Sequence, residues 1–379
     1  KYLEIYLGAA KAGLAVTPLN FRLSESEIAH IVNDAEVTLF MVGDGLEDLA
    51  GKIRGQAPSI REWISLDSCT EEFLSYETLL RQSSGNTPSV TVDESDMAIL
   101  MYTGGTTGLP KGVMLSHKNL LTSSQSIIDA GVLKENDTTC MVLPLFHVAF
   151  WPAICLLMVG GKVAIERRVD IDSMLETIQV ERCTHINAVP TLYTVLVGYA
   201  DTEKFDLSSL RSMTYAGSPM PVEVLKRCIA KFGNIFAQGY GMTETAPSLT
   251  FLSQEDHVLE GPRSRLLASA GKVNPGIKIR VVDENDNPLP SGEVGEVTAS
   301  GKNIMLGYWK NQELTDDRLR DGWLHTGDMG YLDEEGYLFL VDRKADMIIT
   351  GGENVYPTET EGVLYQHSAV LECAVTSAP

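Results

Sequence analysis

The chain has 379 residues, 44% hydrophobic and 21% charged, and carries a formal net charge of −21. That length allows more than one domain with a large core, and the usage is that of an ordinary globular protein. The acidic balance disfavours nucleic acid and anionic membrane surfaces, which reward clustered Lys and Arg, and leaves an anionic nucleotide to a local site assisted by a metal.

The first stretch, KYLEIYLGAAKAGLAVTPLN, reads as a helix running into a strand and resembles the middle of a fold, with no signal peptide. In LSESEIAHIVNDA, Ser24 and Glu27 form a capping box, and Ile28, Ile31 and Val32 supply the apolar face. EVTLFMVG follows as a buried strand, and helix alternating with strand predicts a largely parallel sheet. Residues 83–95 are polar and turn-rich, a linker into the next part. MAILMY then delivers the loop of residues 102–112, YTGGTTGLPKG, after which GVMLS is extended again and Ser116 is placed to cap a helix.

Residues 138–161 carry no formal charge and are long enough to cross a bilayer, but Pro144, His147 and Pro152 favour a buried core segment. LRSMTYAGSPMP is a strand ending in a Gly-Ser-Pro turn. The next helix has Pro221 in its first turn, Val222, Leu225, Ile229 and Phe232 on one face and Gly233 as its stop. NIFAQGYGMTET is a strand that breaks into a second glycine turn. From about residue 270 the pattern changes to short strands and turns, an antiparallel, partly barrel-like subdomain. Cys69, Cys140, Cys155, Cys183, Cys228 and Cys373 are scattered, so neither a zinc site nor a disulfide framework is expected; they read as buried thiols of a reducing, cytoplasmic compartment.

The loop at 102–112 has the composition of a phosphate holder but is not a Walker A loop, because Lys111 follows Pro110 and no Ser or Thr follows Gly112. It is strand–loop–strand, so its grip must come from backbone N–H groups, hydroxyls and Lys111 rather than a helix terminus. A glycine-rich surface turn is the alternative. Two further stretches weigh against that alternative: QGYGMTET at 238–245, and WLHTGD with VDRKADMIITGGENVYP between 323 and 357.

In this order the three stretches resemble the adenylate-forming superfamily of acyl-CoA synthetases, luciferases and nonribosomal-peptide adenylation domains. The resemblance covers essentially the whole chain and is nearest to a fatty-acid–CoA ligase. It implies an α/β fold: a large multi-layer domain over 1–343, with two mostly parallel sheets and helices (1–90 and 91–265) and a β-rich part (266–343). Residues 344–379 would be the hinge and the start of a small α+β domain. It also implies ATP, Mg2+ and coenzyme A as cofactors and a carboxylic acid as substrate. No integral membrane segment is expected, and a homodimer is left open.

The resemblance assigns Thr103, Gly104, Gly105, Thr106, Thr107, Gly108 and Lys111 to the β- and γ-phosphates and departing pyrophosphate. Glu244 with Thr243 would take Mg2+ and phosphate. Tyr240 would face adenine, with the Gly217, Ser218 and Pro219 backbone on its other side and Gln238 bonding the adenine amino group. Asp328 would accept hydrogen bonds from the ribose hydroxyls, and Arg343 would contact ribose or the α-phosphate. His147 would border the carboxylate pocket; a satisfied core histidine is an even alternative.

Amino-acid-activating relatives place an Asp just after the position of His147, where this chain has Val148, Ala149, Phe150 and Trp151. An apolar-tailed acid is therefore favoured. The expected wall is Val148, Phe150, Trp151, Val189, Thr191 and Ala216, with Gly239 and Gly241 leaving depth. A medium- or long-chain fatty acid leads, with an aromatic acid close behind. A luciferase-like oxygenase and a non-catalytic adenylate-binding protein remain as other classes. Two departures stand out. The family's adenylation lysine would lie beyond residue 379, so this chain is expected to bind ATP or acyl-adenylate better than it turns over. The hinge position two residues after Arg343 is Ala345, flanked by Lys344 and Asp346, which leaves the pivot open.

Overall fold

The computed structural model describes all residues except Asp44, Ser68, Cys69, Thr106, Thr107, Ala345, Gly351, Gly352, Gln366, Ser368, Ala369, Leu371, Glu372 and 377–379. The chain groups into two compact units. One comprises Lys1–Lys118, Leu145–His147 and Met305–Thr315; the other comprises Asn119–Pro144, Val148–Ile304 and Asp316–Pro379.

In the first unit the capping box forms as the sequence predicts. Ser24 accepts from the Glu27 amide, and the Glu27 carboxylate accepts from the Ser24 amide at 2.8 Å, opening the helix Glu25–Asp34. Its Ile28, Ile31 and Val32 are buried. The strands Leu39–Val42, Glu62–Ser65 and Leu74–Ser75 form a parallel sheet, and Ile28, Val32, Phe40, Ile53, Trp63 and Phe73 share one core. The strand predicted after the first helix is reduced to a single bridge. Val16 donates its N–H to Ala98 and accepts from Leu100, both at 2.9 Å, and then pairing stops.

The second sheet of this unit is the hairpin Met97–Gly105 and Gly108–Ser116 with the short strand Gly307–Tyr308 on its outer side. The strand–loop–strand reading of residues 97–116 therefore stands. Val113 and Leu115, two positions apart, are fully buried on one face of the second strand, while Met114 between them is only partly buried.

The second unit is built on a 12-stranded sheet. Its parallel part runs Lys162–Ile165, Thr138–Met141, His185–Ala188, Ser212–Tyr215, Phe236–Tyr240. Thr138–Met141 and His185–Ala188 are buried along their whole length, as strands covered on both faces must be. Helices Ile171–Val180, Pro190–Gly198 and Val222–Phe232 pack Met174, Leu175, Ile178, Leu192, Leu196 and Leu225 against them. Asp170 caps the first of these by accepting from the Ser173 amide at 2.9 Å, and Gly233, at φ 85°, ends the last. Val224 and Cys228, absent from the predicted face of that last helix, are also buried, and Phe232 lies at its edge.

Beyond Phe236–Tyr240 the sheet turns antiparallel. Thr250–Leu252, Gly271–Val273, Tyr337–Arg343, Trp323–Leu332, Gly295–Gly301 and Ile277–Val282 follow in spatial order. The short-strand region after residue 270 thus continues the parallel part as one sheet. The uncharged stretch 138–161 becomes the strand Thr138–Met141, a single turn at Val148–Phe150 and the eight-residue helix Trp151–Met158. Among the described residues no helix is long and apolar enough to cross a membrane.

Candidate active site

The phosphate-loop residues and His147 belong to the first unit, and the other candidates belong to the second. In the first unit Thr103 faces Lys111 and Gly105 faces Gly108 across the hairpin. Thr106 and Thr107 lie outside the described residues. The Lys111 side chain makes no ion pair or hydrogen bond among the described residues. Among the described residues a Cβ on Gly104 would meet no atom within 4 Å, whereas at Gly112 a Cβ would reach Leu100 Cδ1 at 3.0 Å and Tyr102 Cζ at 3.1 Å. A side chain at 112 would therefore require Leu100 and Tyr102 to shift by a few tenths of an ångström. His147 is accessible to solvent.

In the second unit the candidates gather at the carboxyl ends of the parallel strands, where open α/β sheets place ligands. His185–Ala188 leads to Val189, Ser212–Tyr215 to Ala216 and Gly217, and Phe236–Tyr240 to Gly241. Gly217 has φ 89°, and a Cβ there would stand 3.8 Å from Val189 Cγ1; a Cβ on Gly239 would stand 4.0 Å from Ala216 Cβ. Val189, Ala216, Gly217 and Gly239 are thus neighbours. Ser218, Pro219 and Thr191 are exposed beside them, and Gln238 makes no side-chain hydrogen bond among the described residues.

The structure also brings together three residues from separate strands. Tyr240 Oη donates to Asp328 Oδ2 at 2.6 Å, across 88 positions of sequence, and Arg343 Nε lies 3.8 Å from Asp328 Oδ1. Asp328 and Arg343 are directly opposed on adjacent strands. Burial pushes the Asp328 carboxyl above the usual range, outweighing the Tyr240 hydrogen bond and the Arg343 charge that favour ionisation. Burial also pushes the Tyr240 phenol far up, with the Asp328 charge adding to it, so the phenol stays protonated and serves as donor.

Thr243 and Glu244 are buried in the turn Thr243–Thr245. Sequence reasoning missed what holds that turn. Asn303, fully buried, donates its Nδ2 to the carbonyls of Thr245 and Ser248, both at 3.0 Å. It also missed Thr326, whose hydroxyl donates to the Val297 carbonyl at 2.7 Å and accepts from the Asp328 amide at 3.1 Å. Thr326 was visible in the HTGD stretch, but its partner on another strand was not.

Core packing accounts for several of the residues expected to shape the acid pocket. Gly241 is small because a Cβ would fall 1.7 Å from the Pro247 carbonyl oxygen, which is a backbone demand independent of pocket depth. Val148, Phe150 and Trp151 are buried, and Trp151 is pinned by its Nε1 donating to Ser124 Oγ at 2.9 Å. Cys140, Cys155, Cys183 and Cys228 are buried free thiols, and burial raises the pKa of each.

Similarity to known proteins shows the class of the chain, that of the adenylate-forming enzymes. The chain belongs to the AMP-binding enzyme family, whose model matches residues 1–309. It is 36% identical over 381 residues to a feruloyl-CoA synthase of Amycolatopsis sp, covering 100% of this chain and 73% of that protein. It is 34% identical over 390 residues to a long-chain-fatty-acid–CoA ligase of Thermus thermophilus, covering 100% of this chain and 71% of that one. Among solved structures, an anthranilate CoA ligase in complex with anthranoyl-AMP superposes with a TM-score of 0.90 at 28% identity, over 99% of this chain and 72% of that one.

Proposed function

We propose that the protein is an ATP-dependent carboxylic acid–CoA ligase acting on an apolar-tailed acid. The observation that carries this reading is the Tyr240–Asp328–Arg343 group at the carboxyl end of the sheet. It offers a ring face for a base, a carboxylate for ribose hydroxyls and a cation for a phosphate. In the proposed reaction a carboxylate oxygen attacks the α-phosphorus of ATP, the α–β bridging bond breaks and pyrophosphate leaves. A thiol sulfur of coenzyme A then attacks the acyl carbon of the adenylate, and AMP leaves with the bonding pair.

Positioning and neutralisation of developing charge do most of this work. Lys111 and the backbone of its loop would steady the leaving pyrophosphate. Arg343 would oppose the charge at the α-phosphate. Glu244 and Thr243 present a buried carboxylate and hydroxyl, the hard oxygen donors that suit Mg2+, which when bound neutralises phosphate charge. His147 is proposed to border the acid. The phosphate grip of Thr103 and of the undescribed Thr106 and Thr107 belongs to the same proposal, as does a cytoplasmic setting.

A medium- or long-chain fatty acid is the preferred substrate of this reading. An aryl acid is the second reading, favoured by the feruloyl-CoA synthase match over the whole chain. The deciding experiment is AMP formation from ATP with coenzyme A across a panel of fatty and aryl acids. Turnover with C8–C16 acids and little with cinnamic or benzoic acids is the expected result. The reverse ranking selects the aryl reading, and no turnover with any acid refutes the ligase. Light emission with luciferin and ATP would instead identify an oxygenase.

The wall assignment has its own test in Gly239→Ala. Among the described residues the added Cβ meets only Ala216, at an ordinary 4.0 Å, so the fold should keep its stability to within about 1 kcal/mol. The KM of the longest accepted acid should rise relative to that of the shortest. An unchanged chain-length profile would remove Gly239 from the pocket.

A further inference from the structure

Next to the nucleotide-facing group lies a carboxylate that its proposed chemistry leaves unused. Glu296, near the start of the strand Gly295–Gly301, has a side chain only 10% exposed. Buried carboxylates persist only when their oxygens are engaged. Glu296 Oε1 accepts from the Gly327 amide at 3.2 Å, and Oε2 takes the Lys344 ammonium at 3.0 Å. Those two partners are the residues just before Asp328 and just after Arg343. The Lys344 amide also donates to the Gly327 carbonyl at 2.8 Å, so backbone and side chain tie the same two points.

The local backbone explains why a tie is needed there. Pairing between Gly295–Gly301 and Trp323–Leu332 slips between Glu296 and Thr298, so that Thr326, Gly327 and Asp328 bulge between the paired positions His325 and Met329. Gly327 has φ 78°. A bulge re-aims a side chain but leaves an amide without a ladder partner. Thr326 satisfies the Asp328 amide, and Glu296 satisfies that of Gly327. Burial pushes Glu296 up, but Lys344 and then His325, whose Nδ1 is 3.4 Å from Oε2, outweigh it and hold the carboxyl below the ordinary range.

We propose that Glu296 is a positioning residue for nucleotide binding: by bridging the Gly327 bulge and the Lys344 ammonium, it holds Asp328 and Arg343 at a common distance from one ligand. This rests on the adenylate reading above. Glu296→Gln keeps an acceptor for the Gly327 amide and removes the charge that holds Lys344. Lys344→Met removes the cation from a side chain that is 54% exposed, so the fold should tolerate it.

Titration with AMP is the test, with KM and kcat for ATP measured alongside. Each variant should weaken AMP about five- to tenfold and raise the KM for ATP by a similar factor while kcat changes little. The double variant should be no worse than Glu296→Gln alone, because the two residues share one interaction. Lys344→Arg should restore most of the affinity. A purely structural role would lower melting temperature and active fraction and leave the AMP affinity of the folded protein unchanged, and that result overturns the proposal. Wild-type AMP affinity in Lys344→Met overturns it as well. Failure of the wild type itself to bind AMP would defeat the adenylate reading and this proposal together, an outcome distinct from equal binding by wild type and variants.

Discussion

Asp328→Asn should weaken AMP about 100-fold, or roughly 3 kcal/mol, while the fold survives. Asparagine keeps the size of the side chain and one acceptor for the Tyr240 hydroxyl, which now donates at 2.6 Å. What it loses is the negative charge that would receive two ribose hydroxyls, and hydrogen bonds to a charged acceptor are about twice as strong as neutral ones. Calorimetric titration of AMP into the two proteins measures the difference. Equal affinities would remove Asp328 from the nucleotide site.

The same carboxyl predicts opposite pH dependences for binding and stability. Burial raises its pKa in the folded protein, so the native state holds this proton more tightly than the unfolded chain. Between the ordinary carboxylate pKa of about 4 and the higher folded value, its contribution to stability is greatest on the acid side and falls as pH rises. AMP affinity through Asp328 should rise over that window as the charged form appears. In Asp328→Asn both slopes should flatten, which denaturant unfolding and titrations at several pH values would detect.

Gly241→Ala should be strongly destabilising, by about 3 kcal/mol or more, the upper range for overpacking a closed site. Its Cβ would sit 1.7 Å from Pro247 O, 2.7 Å from Pro247 C and 3.0 Å from Ser248 Cα, all backbone atoms that cannot rotate aside. The adjoining chain has little freedom to retreat, since Asn303 holds the Thr245 and Ser248 carbonyls and Asn274 donates to Ser248 Oγ at 2.5 Å. The denaturation midpoint of the variant, set beside that of Gly239→Ala, measures the effect. A midpoint near wild type for both would mean that the turn carrying Thr243 and Glu244 yields more readily than its hydrogen bonds imply.

The two glycines also mark how far the site was legible. Periodicity and capping located the helices Glu25–Asp34 and Val222–Phe232, because those features depend on neighbours three or four residues away. Apolar runs bounded by turns located the buried strands for the same local reason. The Val16 segment departs from that pattern: its composition is that of a strand, but only one of its residues finds a partner. Gly241 shows the opposite limit. Its smallness was visible, but the carbonyl that requires it comes from Pro247, brought close by the path of the turn.

For the site, the family resemblance rather than local pattern named Tyr240, Asp328 and Arg343 as candidates. That Tyr240 donates to Asp328, that burial rather than Arg343 governs the Asp328 carboxyl, and that Thr326, Asn303 and Glu296 brace the turns are facts of cross-strand pairing. By itself the sequence determined the element pattern and the strand–loop–strand character of residues 97–116, because both are written in short-range spacing, and its three motif stretches carried the resemblance to the adenylate-forming class. Only the tertiary structure decided which buried polar groups meet and which glycines are obligatory, because those depend on atoms that the chain brings together from far apart.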